Sequence, residues 1–483
     1  MSPKKLIVIS IFLISPYLIY NYFIFFFLIP LLFLFYARVR IKNLHLVLFP
    51  LVLCSVILLP IVTYKVEIYL AGILITACFI SGFLLLSKSL IKRLEDPLLS
   101  ICVPAILWTA LLYLFNFRSL LASAFDIGVL FPTSVPIIWY TGSIGITLLI
   151  ILFNSAIARH MARRDKVSLF VSIVLFIAFL GSLVFSLTQN ADLSIHGQPK
   201  RIALIQGDIP EKTIFGFTEN LDKRIKRYID LSREAANKGT DVVVWPEYTF
   251  PVDIVNRFPG KMRPVIDEIK RSKTTYIIGS MLRDQEKKNI LYNTALIFDK
   301  QGKVEDTYYS QDPAIFNEGI SPRKNNGKLY LDQAGITLCW EEINEKIYRD
   351  YVKSGAEYFI SLSSNTDLDY SWFKKYASFF TRARAAENMR YLARAAQTGV
   401  TQIINPYGRA IRSVPQDTAT FLTGNIYRIK KETFYSRNGD ILVKLFILSV
   451  IVYGFIKESI LKIYVKKASL RNDEVLKGRA GNE

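Results

Sequence analysis

From Leu6 to Leu187 apolar runs follow one another with short charged breaks, whereas from Arg201 to Arg437 polar and apolar positions alternate as in a globular domain. Crossing the hydrocarbon core of a bilayer takes about 20 apolar residues per helix. The first block, Leu6 to Tyr36, exceeds one span and carries Pro16 and Pro30, so it reads as a helical hairpin of two short spans. Further spans are predicted at Leu44 to Val62, Ile68 to Leu86, Pro97 to Phe117, Val135 to Ile157 and Val167 to Leu187, with a last one from about Ile441 to Ile456. The pattern thus predicts about seven spans in a membrane domain over 1–187, a globular domain over 188–437, a last span over 438–456 and a basic tail over 457–483.

The charges between the spans set their direction. Lys4 and Lys5, then Arg38, Arg40 and Lys42, then Lys88, Lys92 and Arg93, and then Arg159, Arg163, Arg164 and Lys166 all fall on one side if the first block crosses twice. The intervening turns carry only Lys65 and Arg118. By the positive-inside rule both termini are cytoplasmic, and the segment from about Thr188 to Asp440 lies outside the cytoplasm. Lys457, Lys462, Lys466, Lys467 and Arg471 in the tail agree. A cleaved signal peptide is not expected, because the first apolar block is too long and no small-residue cleavage site follows it.

Composition adds exclusions. A hydrophobic content of 51% and a mean hydropathy of +0.29 over 483 residues exclude disordered and collagen-like chains. The net charge of +20 is explained by basic residues at the ends of apolar runs, so no nucleic-acid partner is expected. Cys54, Cys78 and Cys102 fall inside apolar runs, leaving Cys339 as the one thiol of the globular region. His45, His160 and His196 all lie outside Arg201 to Arg437, which removes histidine-dependent hydrolase triads and HExxH zinc sites from it.

Within that region, strand-like runs at Arg201 to Gln206, Asp241 to Trp245, Thr275 to Ile278 and Tyr358 to Leu362 alternate with helical periods, notably Asn220 to Lys238 and Ala377 to Gln397. Such alternation indicates an α/β layered domain. Three segments place reactive groups just after apolar strands. Val243 to Phe250 carries Glu247; Tyr308 to Gly319 carries Ser310, Asp312 and Glu318; Gly335 to Glu342 ends on Cys339, Glu341 and Glu342. Singly, each is equally well a turn cap or a buried small residue.

Together, in this order, they resemble the carbon-nitrogen hydrolase (nitrilase) superfamily, and within it the apolipoprotein N-acyltransferases. The motifs are Gln206 to Pro210, Trp245 to Glu247, Tyr292 to Ala295, Cys339 to Glu341, Trp372 with Phe373, Arg384 to Arg390, Arg394 with Thr398 and Gly399, and Pro406 to Arg409. The resemblance implies a multi-span membrane domain joined to an extracytoplasmic nitrilase-like α-β-β-α sandwich. It implies Glu247 as general base, Cys339 as nucleophile, and Glu318 and Glu341 as supporting glutamates. The family's lysine falls eight residues before its second glutamate, where this chain has Ser310. A missing oxyanion donor costs about 100- to 1000-fold in rate, part of which a neutral Ser310 donor could recover. Lys303, Arg323, Lys374 and Lys375 are the cations another segment could bring in.

The membrane half departs too: Trp108 to Arg118 lacks the intramembrane glutamate and the TGFPW-like stretch of the family, while Tyr140 to Gly145 resembles a later family segment. The implied activity is acyl transfer from a phospholipid, through a cysteine thioester, to the N-terminal amine of a lipid-modified apolipoprotein at the outer face of the cytoplasmic membrane. That route needs no metal or diffusible cofactor. The alternatives are a catalytically degenerate protein that binds lipid or lipoprotein, and a membrane-anchored amidase.

Overall fold

The computed structural model describes residues 29–39, 41–58, 66–114, 126–189, 195–209, 221–287, 290–313, 320–366 and 371–480. Most of the expected hairpin at Leu6 to Tyr36, and Glu318, lie outside them. The N-terminal part is helical: α1 (Ile29–Tyr36), α2 (Asn43–Leu58), α3 (Val66–Arg93), α4 (Pro97–Leu114), α5 (Ile137–Arg163) and α6 (Lys166–Thr188). Among the described residues, α4, α5 and α6 are long and apolar enough to cross a membrane by length and composition.

The polarity of α6 identifies its solvent. Its buried residues are Ser168, Ser172, Ser182 and Ser186, while Phe170, Ile177, Leu180 and Leu187 are exposed. In water that arrangement would leave a large apolar surface uncovered; in lipid, small polar residues face the neighbouring helix and leucines face the acyl chains. Both ends of α6 keep hydrogen bonds, the N-terminus through Asp165, whose carboxylate accepts the Ser168 N–H at 2.8 Å.

The polar region folds into two mixed sheets. The first contains β1 (Ile195–Gln206), β2 (Val242–Phe250), β3 (Thr275–Arg283), β4 (Leu291–Phe298), β5 (Val304–Tyr309) and β11 (Thr420–Ile429), in the order β11-β1-β2-β3-β4-β5. The second contains β6 (Ala334–Leu338), β7 (Tyr358–Ser363), β8 (Leu392–Ala396), β9 (Thr401–Ile404) and β10 (Ala410–Val414), in the order β10-β9-β8-β7-β6. β1, β2 and β3 run parallel, as do β6, β7 and β8.

Strand alternation decides the layers. Val242 and Val244 of β2 join Ile202, Leu204, Ile336, Leu338, Ile360 and Leu362 in a core between the sheets. Val243 and Trp245 point the other way, onto Ile225 and Tyr228 of α7 (Leu221–Ala236) and Val265 and Ile269 of α8 (Pro259–Ser272). The second sheet is backed by α9 (Glu345–Lys353) and α10 (Ser371–Asn388): Tyr351 donates to the Ile336 carbonyl at 2.7 Å, and Gln402 to the Ser378 carbonyl at 3.1 Å. The chain closes with α11 (Ile441–Ala480), whose Leu445, Leu448, Phe455 and Ile456 are exposed like the apolar face of α6.

One predicted element is corrected. The helical period of Ala377 to Gln397 ends at Asn388; Met389 takes a left-handed φ of 53°, and Leu392–Ala396 is the strand β8. Arg390 and Arg394 mimic a polar helix face, yet both are buried. Arg390 donates to the carbonyls of Ala356 and Asn388 at 2.7 and 3.1 Å, and Arg394 is paired with Glu342. Arginines with fully satisfied donors sit inside a core where the sequence pattern assigns them to water.

The same helix joins the two parts of the molecule. Tyr376, Phe379, Phe380, Ala383 and Ala386 of α10 belong to the core of the N-terminal helices. α5 is broken at Gly142 (φ 66°), where an added Cβ would stand 2.2 Å from the Tyr435 ring.

Candidate active site

Glu247 stands inside β2, whose residues are all buried, with 1% of its surface exposed. Its Oε1 accepts a hydrogen bond from Asn293 Nδ2 of β4 at 2.7 Å. The approach of β3 to this segment depends on Gly279, where a Cβ would lie 2.2 Å from the Pro246 carbonyl oxygen and 2.7 Å from the Glu247 Cα. Glycine at that position lets the backbone carrying Glu247 lie directly against β3.

Cys339 follows β6 as the first residue of a 3-10 turn, Cys339–Glu342, partly exposed and outside any disulfide. Its φ of 45° is left-handed, a conformation that costs an L-residue roughly 1–2 kcal/mol. Glu341 holds the turn in place. It is fully buried, and its Oε2 accepts the N–H of Leu338, the residue before the cysteine, at 2.7 Å.

The remaining partners of Glu341 come from the end of β5. Tyr308 donates to Oε2 at 2.6 Å, while Oε1 accepts from Ser310 Oγ at 3.1 Å, the Gln311 N–H at 2.6 Å and the Asp312 N–H at 3.2 Å. The Ser310 N–H in turn donates to the Asn293 carbonyl at 2.8 Å. One run of bonds therefore links the Glu247 carboxylate, through Asn293 and Ser310, to the Cys339 turn. Asp312, also in this loop, accepts from Asn344 Nδ2 at 2.8 Å.

Electrostatically the two adjacent glutamates differ. Glu342 is bound by Arg394 at 2.8 and 3.0 Å and accepts from Ser361 at 2.7 Å. Among the described residues no lysine or arginine pairs with Glu341, and burial pushes its carboxyl up to about 7 against the pull of its donors. The Tyr308 phenol is driven well above its ordinary value by burial and then by the neighbouring Glu341.

None of the candidate cations pairs with Glu341 among the described residues. Arg323 is exposed, with its guanidinium 4.3 Å from the Tyr309 ring centre, on the strand face opposite Tyr308 and Ser310. Lys374 is buried and paired with Asp417; Lys303 and Lys375 are exposed. Ser310 thus reaches Glu341 as a neutral donor.

Sequence reasoning singled out Glu247, Ser310, Cys339 and Glu341, and the fold links them through the bonds above. It assigned no role to Asn293 or Tyr308. The signal for Asn293 was its place inside the motif Tyr292 to Ala295; an alternating strand ending on Tyr308 and Ser310 was the signal for both side chains facing one way.

Residues 201–429 match the family model for carbon-nitrogen hydrolases. Over 393 residues the chain is 26% identical to the apolipoprotein N-acyltransferase of Geobacter metallireducens, covering 73% of each. It is 25% identical to that of Wigglesworthia glossinidia brevipalpis, covering 59% of this chain and 61% of the relative, and 24% identical to that of Thermotoga maritima, covering 67% and 63%. Among solved structures, the Nesterenkonia AN1 amidase of the nitrilase superfamily superposes with a TM-score of 0.41 at 15% identity, over 52% of this chain and 99% of that one. Over residues 201–429 the chain is thus similar to carbon-nitrogen hydrolases, and the curated relatives it resembles over 59–73% of its length are apolipoprotein N-acyltransferases.

Proposed function

We propose that the protein is an N-acyltransferase of the cytoplasmic membrane, moving an acyl chain from a phospholipid to the amine of a lipid-modified N-terminal cysteine on an apolipoprotein. Glu247 takes the thiol proton of Cys339, and the sulfur attacks the ester carbonyl. The ester C–O bond breaks, and the lysophospholipid oxygen leaves with the proton held by Glu247. The acceptor amine then attacks the thioester; its proton passes to Glu247, and the thiolate departs and is reprotonated. The observation that carries this reading is the left-handed Cys339 at a strand end, joined by hydrogen bonds through Glu341, Ser310 and Asn293 to the buried Glu247.

The domain division at 188–437, with that segment extracytoplasmic, rests on the basic clusters in every second loop. Both substrates are lipid-anchored, and the contact of α10 with the N-terminal helices keeps the hydrolase-type domain against the bilayer. Reporter fusions after Lys42, Lys166 and Lys200 should read inside, inside and outside.

The chemistry is tested by incubating the purified protein with radiolabelled phospholipid. The expected result is a Cys339-linked acyl group released by neutral hydroxylamine and absent from Cys339→Ala. The second reading, a lipid- or lipoprotein-binding protein without turnover, is favoured by Ser310 in place of lysine. Wild-type protein that never acquires the label beside an active relative would establish it.

A further inference from the structure

Glu341 receives five hydrogen bonds, three from backbone amides and two from the hydroxyls of Tyr308 and Ser310. One oxygen, Oε2, accepts both the Tyr308 hydroxyl and the N–H of Leu338, so the side chain of β5 and the backbone of the residue before Cys339 meet on a single atom. Tyr308 is itself fixed: it is fully buried, with its ring edge-on to Tyr330 at 5.8 Å and 88°. An orientation imposed on Glu341 by Tyr308 is therefore imposed on the last residue of β6, from which the Cys339 turn starts.

We propose that Tyr308 is a positioning residue for Cys339, acting through Glu341, and that the Tyr308 and Ser310 hydroxyls together replace the lysine that this chain lacks. The proposal rests on Cys339 being the nucleophile of the acyl-transfer reading. A lysine has three donors and no acceptor, so it holds a neighbouring carboxyl ionised. Amides likewise only donate. The two hydroxyls can also accept, so a protonated Glu341 can turn its O–H to Tyr308 or Ser310 and keep the turn closed without a charge beside the sulfur. The titratable groups around it are Tyr308 and Tyr330 on the β5 side, Tyr348 and Tyr351 of α9, and Glu342 and Asp312. Of these, Glu342 is neutralised by Arg394.

The test uses the full-length protein in detergent and two readouts: single-turnover acylation, and the pH dependence of iodoacetamide alkylation at Cys339, corrected with Cys339→Ala. Tyr308→Phe removes one oxygen. It should slow acylation by about 10- to 100-fold, the worth of a hydrogen bond to a charged group. The Glu341-dependent inflection of the alkylation profile should move up in pH, because the carboxylate has lost a donor. Tyr330→Phe serves as the packing control, since the Tyr330 hydroxyl makes no hydrogen bond among the described residues; its profile should match wild type. A wild-type profile in Tyr308→Phe, or the same shift in Tyr330→Phe, overturns the proposal. Should Tyr308→Phe fail to fold, Glu341→Gln must abolish the inflection; an inflection that survives there also overturns it. Alkylation requires no acyl transfer, so the absence of acylation in every protein sinks the enzymatic reading and leaves this one decided by the profile.

Discussion

Glu387 Oε1 accepts the backbone N–H of Ser143 at 2.8 Å, joining residues 244 positions apart across the junction between the helical part and the hydrolase-type domain. The donor is available because α5 breaks at Gly142, which frees the first amide of the continuing helix. Arg384 lies 3.2 Å from the other oxygen of Glu387 and donates to Ser143 Oγ at 3.2 Å, while Ser143 Oγ donates to Asp126 at 2.6 Å. A buried polar cluster of this kind fixes how the two parts dock.

Glu387→Ala should therefore leave Arg384 buried with one fewer counter-charge, and removing one partner of such a pair costs about 3–5 kcal/mol. The expected outcome is a lower unfolding midpoint in detergent and faster proteolysis near the junction. Gly142→Ala should act at the same place by steric means, through the Tyr435 ring. Limited proteolysis unchanged in both variants would show that docking does not depend on this cluster.

The raised carboxyl of Glu341 fixes the sign of a pH effect. Its folded value of about 7 lies above its ordinary 4.5, so the folded protein binds the proton more tightly than the unfolded chain. The resulting stabilisation is complete below about 4.5 and is lost as pH rises through about 7, amounting to about 3 kcal/mol. Denaturant midpoints measured from pH 5 to pH 8 should fall with pH in wild type, and Glu341→Gln should flatten that slope.

Gly279→Ala should displace the segment carrying Glu247, since its Cβ has no room against the Pro246 carbonyl. Overpacking of a tight core costs about 1–3 kcal/mol, and a misplaced base costs more in rate than in stability. The predicted result is a folded protein whose single-turnover acylation falls by at least about 10-fold. Alkylation of Cys339 at high pH, where no base is needed, should stay near the wild-type rate.

Ser310→Lys puts a cation on Glu341. If the missing charge limits the chemistry, single-turnover acylation rises, by up to about 100-fold, and the pH slope assigned to Glu341 disappears because the pair holds it ionised. A rate unchanged or lowered by the lysine, in a protein that still folds, means that the hydroxyl arrangement has become the working one.

Long apolar runs and alternating strands are local patterns, so the sequence by itself shows that an apolar helical part precedes a strand-rich region. It also singles out Glu247, Ser310, Cys339 and Glu341 as following apolar strands; Ser310, Cys339 and Glu341 do, whereas Glu247 stands inside β2, which runs on to Phe250. Tertiary structure decided what those groups meet. β4 and β5 carry Asn293 to Glu247 across the order β2-β3-β4, and Tyr308 to Glu341 across the packing of one sheet on the other, neither of which a spacing rule specifies. The same holds for β8, where Arg394 looks like solvent-facing charge until Glu342 is found opposite it. A charged residue in a linear pattern is assigned to water by default; only the fold supplies the buried partner that reverses the assignment.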